Sequence, residues 1–271
     1  MTHAFDEAIT LTTVGTERNR VVRATTHPAY NNMVGPYGGI TAAAVVKAIT
    51  QHPDVLGDPL SMTINFAAPI AEGEWDLELQ SARTNRTNQH WIFTIRQAEQ
   101  IVSTGTAVFG AVRDTWADTE LSPPQAPPVD QVEPSSFGDF IAWAKNYDKR
   151  FVTGALVEGV VDKSDDSTST LWLRDHPERP IDYPALMAMS DVFYPRIFLR
   201  HGAYMPAGTI SLTTYFHATR EELEAQGSKH VLATARAGRF GHGHYDQSGE
   251  IWSGNTLLAT THQLVYFKDP S

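Results

Sequence analysis

The sequence contains no cysteine. Disulfide frameworks, cysteine nucleophiles and Cys-ligated zinc or iron–sulfur sites are therefore excluded. Polar residues also interrupt every apolar stretch well short of the ~20 residues that a membrane-spanning helix needs. No cluster of Lys and Arg occurs; 21 basic residues stand against 31 acidic ones, 21 − 31 = −10 at neutral His. Nucleic-acid contacts require clustered positive charge, so neither nucleic acid nor membrane is an expected partner. The N-terminal MTHAFDEAITLTT has neither the basic nor the apolar region of a secretory leader. These features predict a soluble, cytoplasmic globular protein. At ~150 residues per domain, 271 residues make two domains or one large one.

Several chemical signatures are missing as well. There is no G-x-S-x-G, no G-x-x-x-x-G-K-[ST], no G-x-G-x-x-G after a strand and no H-E-x-x-H. The glycines of GRFGHG (238–243) fall in the wrong order for a dinucleotide fingerprint and read as a turn between strands. His242 and His244, with Asp246, are the one tempting metal set; the plainer alternative is a glycine-flanked loop with solvated imidazoles. We expect no metal and no cofactor.

What is present is a repeat. Residues 121–136, LSPPQAPPVDQVEPSS, form a proline-rich linker near the midpoint, extended because repeated proline forbids helix. Before it, strands are predicted at 8–14 and 18–26, a dense apolar helix at 39–51, then strands at 60–68, 74–84, 89–97 and 101–110. After it the order recurs. Strands are predicted at 150–161 and 167–174, then a helix at 183–194 capped by Asp182 and ended by Pro195. Strands follow at 208–217, 230–238, 243–252 and 256–267. SMTINFAAP (61–69) aligns with SLTTYFHAT (211–219), and IVSTGTAVF (101–109) with LLATTHQLVYF (257–267). A helix apolar all round must be wrapped by its sheet. The fold class is thus α+β, two tandem hotdog units forming a double hotdog. The expected domains are residues 1–120, the linker 121–136 and residues 137–271.

Three polar residues interrupt apolar patterns in the second half. Asp191 lies among Met187, Ala188, Met189, Val192 and Phe193. A carboxylate in such a helix is costly unless hydrogen-bonded, which makes it a candidate general base. Equally, it could face a helix edge and reach solvent or Arg196. Thr209 and Gln263 sit in strands, Gln263 in the apolar TTHQLVYF. Their aligned places in the first half are Pro59 and Ala107, so the polar set belongs to one half only.

At this point the chain resembles the acyl-CoA thioesterase II type of the double-hotdog thioesterase-like superfamily. The resemblance rests on YGGITAAAVVKAI, MSDVFYPR, GTISLTTYFH and HYDQSGEIWSGNTLLATTHQ, and extends over nearly the whole length. It implies that Asp191, Thr209 and Gln263 hold a hydrolytic water and that the N-terminal unit is catalytically degenerate. Leu212 and Thr213 depart from the more polar and aromatic types of the best-known members. An oxyanion would meet backbone N–H groups near Gly39 at the start of the first helix. The acyl chain would run past Tyr37, Met187 and Phe193. CoA phosphates would need Arg196, Arg200, Lys229, Arg236 or Arg239. The implied partners are an acyl-CoA and a second copy, as a homodimer or larger. A non-catalytic hotdog binding acyl-CoA or an aromatic ligand is the alternative. A hydratase would need a His–Asp pair at the helix start, and His27 has no acid near it in sequence.

Overall fold

The computed structural model describes residues 2–14, 21–156 and 162–269. The first half runs α1 (Ala4–Ala8), β1 (Thr12–Thr13), β2 (Val21–Thr25), α2 (Gly38–Thr50), β3 (Asp58–Phe66), β4 (Glu74–Thr84), β5 (Asn88–Gln97) and β6 (Gln100–Gly110). The second runs β7 (Tyr147–Thr153), β8 (Ser169–Asp175), α3 (Tyr183–Met189), β9 (Ala207–Phe216), α4 (Arg220–Gln226), β10 (Val231–Gly241), β11 (His244–Ser253) and β12 (Thr256–Phe267). The twelve strands of the described residues join one antiparallel sheet in the order β1-β2-β4-β5-β6-β3-β9-β12-β11-β10-β8-β7. That order is a palindrome of the two halves. At its centre β3 pairs with β9, and Thr63 faces Thr213 through a 2.8 Å hydroxyl–hydroxyl bond.

The repeat extends to the irregularities. Between β3 and β6 the register skips at Leu60, and between β9 and β12 at Ile210. Between β5 and β6 it skips at Val102, and between β11 and β12 at Leu258. Val102 accepts bonds from the amides of Ala67 and Ala68; Leu258 does the same for His217 and Ala218. A one-residue bulge moves everything beyond it to the opposite face. The Ile210 bulge therefore turns Thr209 inward with Leu212 and Thr214. Ten of the thirteen residues of α2 are buried. Val45, Val46 and Ile49 are fully enclosed, each worth about 1.5–3 kcal/mol.

Several predicted boundaries need correction. Residues 8–14 are not one strand: Phe5, Ala8 and Ile9 bury one face of a short helix, whose first turn is capped by the His3 ring. The strand expected at 150–161 begins earlier, as β7, and ends at Thr153; 157–161 lie outside the described residues, as do 18–20. The helix expected to reach 194 stops at Met189. The Ser190 hydroxyl bonds back to the Leu186 carbonyl there, a competitor to helix continuation. The unpredicted α4 is set by a capping box between Thr219 and Glu222. The linker lies against the outside of the second half, where the Trp172 indole donates to the Pro127 carbonyl and Arg150 to those of Val129 and Val132.

Asp175 is a costly residue of this framework. It faces Tyr147 across β7–β8 and is 1% exposed. Burial raises its pKa to about 7, against the opposing pull of Arg179. The folded state therefore favours the protonated form, and the native protein loses stability as pH rises from about 4 through 7. Asp175→Asn should flatten that part of the profile: little change in Tm at pH 4, and at pH 8 a gain on the order of a few kcal/mol. Thermal melts of the two proteins across this range provide the measurement.

Candidate active site

The apolar run around Asp191 predicts a mid-helix carboxylate, but the residue lies in the turn just after α3, its amide bonded to the Ala188 carbonyl at 3.1 Å. The turn brings the second half's carboxyl to the first half's helix. Gly38 and Gly39 open α2, and the Gly39 amide donates to Asp191. A Cβ on Gly38 would lie 2.8 Å from Asp191 Oδ2 and 3.1 Å from Phe66 Cζ. Only glycine allows this approach. Helix-start amides lack intrahelical partners and carry the positive end of the dipole, so the carboxylate caps α2 from across the molecule.

The other two predicted residues converge on it. Gln263, buried on β12, donates from Nε2 to Asp191 Oδ1 at 2.9 Å and to the Ser190 carbonyl at 3.4 Å. Its Oε1 accepts the Thr209 hydroxyl at 3.3 Å. The result is a chain, Thr209 to Gln263 to Asp191, with Gly39 on the carboxylate's other side. Burial raises the Asp191 pKa to about 7; the Gln263 and Gly39 bonds oppose this and are outweighed. Such a carboxyl holds or releases a proton near neutrality.

The remaining predicted residues have different surroundings. The Tyr37 hydroxyl donates to the Ala188 carbonyl at 2.6 Å, and its ring stacks on Trp143 with centroids 4.3 Å apart. It clamps the start of α2 to the end of α3. Met187 is fully enclosed in α3. Phe193 lies in the turn after Asp191, 3.4 Å from where a Gly249 Cβ would be.

Arg196 cannot meet a phosphate at the surface, because it is 0% exposed. Its guanidinium donates to the carbonyls of Tyr194 and Ser167 and stacks over the Tyr194 ring, 4.1 Å from its centroid. It does not pair with Asp191 either. Arg236 and Arg239 remain exposed on β10. His27 has an acid in space, Glu7 at 3.5 Å, while its Nδ1 accepts the Ala29 amide. His242 occupies the turn between β10 and β11 with φ +55°, followed by Gly243 at +75°, the signature of a type I′ hairpin turn.

Sequence reasoning missed Gly38, which borders the carboxylate, Phe66, which packs beside Gly38, and three polar residues beside Gln263. Gln247 Nε2, Thr261 Oγ1 and Thr214 Oγ1 are buried with no hydrogen-bond partner. Each such group costs about 1–3 kcal/mol. A polar side chain on the inward phase of an apolar strand was the available signal, the same one that singled out Gln263.

Residues 27–110 match the family model of the acyl-CoA thioesterase N-terminal domain, and 119–267 that of the acyl-CoA thioesterase C-terminal domain. The chain belongs to this acyl-CoA thioesterase family. It shares 42% identity and a TM-score of 0.94, over all of both chains, with a conserved hot dog protein of unknown function from Alicyclobacillus acidocaldarius. With an acyl-CoA thioesterase II from Mycobacterium marinum it shares 17% identity and a TM-score of 0.76, over 99% of this chain and 98% of that one. A tesB protein from Mycobacterium avium subspecies paratuberculosis gives 18% and 0.76, over 98% of each chain. These two likenesses are of fold. No curated protein matches.

Gln263→Leu removes a donor that favours the ionised carboxyl. The Asp191 pKa should then rise above about 7, by roughly one unit. Titration of a ¹³C-labelled Asp191 carboxyl by NMR checks this; an unchanged or lowered value contradicts the assigned bond.

Proposed function

We propose that this protein hydrolyses acyl-CoA thioesters with an activated water, and that Asp191 is the base. The observation that carries the reading is a single carboxyl, raised to about 7 and held by Gln263 and Gly39 at the start of a glycine-opened helix. With no cysteine and no serine elbow, a covalent route has no thiol or serine-elbow carrier. Direct attack by water fits the groups present.

In this mechanism Asp191 takes a proton as the water oxygen bonds to the acyl carbon. Gln263 fixes the carboxylate, and Thr209 fixes Gln263, so the attacking geometry is set before substrate arrives. The carbonyl electrons move onto oxygen, which the positive end of α2 stabilises. Because Asp191 engages the Gly39 amide, we assign the oxyanion to the Gly38 amide and give Gly39 the task of positioning the base. Collapse expels the CoA thiolate, which takes back the proton from Asp191. Phe193 is the acyl-chain wall; Tyr37 and Met187 act through packing. We read 137–271 as the catalytic unit and 1–120 as its degenerate partner, which supplies the helix start.

Only ionised Asp191 accepts a proton. Hence kcat/KM should rise with pH, with an apparent pKa near 7, and level off above it. Asp191→Asn should lose about 10²–10⁴-fold in turnover while melting like the parent. A thiol-release assay over short, medium, long and aromatic acyl-CoAs tests both. Hydrolysis retained in the variant defeats the assignment. Tight binding without product in the parent favours the ligand-binding alternative.

A further inference from the structure

We propose that Gln247, Thr261 and Thr214 form, beside Gln263, a recognition block for an acyl group that carries a neutral hydrogen-bonding oxygen within a few carbons of the thioester. The inference rests on the hydrolase reading above and names the substrate class of that same site.

The block is defined by strand register. Across the inward face, Gln247, Gln263, Leu212 and Ile64 form one row. Gly249, Thr261, Thr214 and Met62 form the next. Gln247, Thr261 and Thr214 are 2%, 1% and 0% exposed, and each has an unpartnered polar atom. They offer an amide donor and two hydroxyls with no charge among them, which suits a hydroxyl or ketone oxygen. Rows two residues apart along a strand lie ~7 Å apart, and neighbouring strands ~4.8 Å. An oxygen near the third acyl carbon is therefore in range when the thioester lies at Asp191.

The duplicated sheet supplies an internal control. The positions equivalent to Gln247, Gln263 and Gly249 are Trp91, Ala107 and Phe93. Those equivalent to Thr261 and Thr214 are Gly105 and Ile64. The first half fills this part of the lattice with aromatic and aliphatic groups; a Cβ on Gly105 would lie 2.3 Å from the Phe93 ring. The fold therefore does not require polar atoms here. In the second half Gly249 provides no side chain, and the Phe193 ring covers its place. Phe193 lies two residues after Asp191, outside regular structure, and its ring joins the block to the turn that carries the carboxyl.

The test compares 3-hydroxybutyryl-CoA with butyryl-CoA, in the parent and in a Gln247→Leu, Thr261→Val, Thr214→Val triple variant. The threonine changes keep shape, Gln247→Leu comes close to it, and all three remove the polar atoms. The parent should give a kcat/KM ratio of at least ten in favour of the hydroxy ester, and the variant a ratio near one with an equal or higher Tm. Thr261→Val alone, fully isosteric, carries the test if the triple variant does not melt cooperatively; it should lower the ratio at least threefold. A parental ratio at or below one, or a ratio unchanged by the substitutions, overturns the block. If the parent hydrolyses neither ester the ratio is undefined, and the hydrolase reading fails only when the medium, long and aromatic acyl-CoAs are spared as well. The block is then judged by calorimetric affinities for the same two esters, where equal affinities or no binding overturn it.

Discussion

The pairing of β3 with β9 is the constraint on which the molecule depends. It makes one sheet of two, and it places the end of α3 against the beginning of α2. Each half alone would leave an edge strand unpaired, an aggregation liability, and would leave the first amides of α2 unmet. The site exists only at this junction, with the acid from one half and the helix start from the other. Tyr37 ties the same two helix ends together through the Ala188 carbonyl, so the distance between carboxyl and amide is held by a buried phenol as well as by the sheet.

Two carboxyls in this chain, Asp175 and Asp191, are pushed up to about 7, both chiefly by burial. Their settings differ in the donors they offer. Asp191 has two oriented donors on its oxygens and keeps partial exposure. Asp175 has neither an oriented donor nor exposure; both oxygens are enclosed between strands and tyrosines. A displaced pKa marks burial in both, and the arrangement of donors distinguishes the residue suited to exchanging a proton with a bound molecule.

Much of the fold was legible because strand alternation and short turns are local properties. The strands at 74–84 and 256–267 match residue for residue. Gln263 was legible because a carboxamide inside TTHQLVYF breaks an apolar pattern. Thr209 was legible as a polar residue opening an apolar strand, and its expected role came with the family resemblance; its inward face depends on the Ile210 bulge, which alternation does not show. Asp191 lies among apolar residues as its sequence neighbours predict, but the helix expected to hold it ends before it. The contact with Gly38 and Gly39 joins distant parts of the chain and leaves no mark on local pattern. Arg196 reads as a surface cation in sequence; the carbonyls of Tyr194 and Ser167 and the face of Tyr194, which together admit it to the core, are tertiary facts.

The linker at 121–136 carries a consequence beyond tethering. Two identical hotdog subunits related by symmetry must place the same side chain at every equivalent position, so a polar group needed near one acid is imposed near the other. Covalent fusion lifts that identity. Trp91 and Phe93 stand in one wing of the sheet where Gln247 and Gly249 stand in the other. Side chains that a symmetric pair would have to share are here free to differ between two copies of one design.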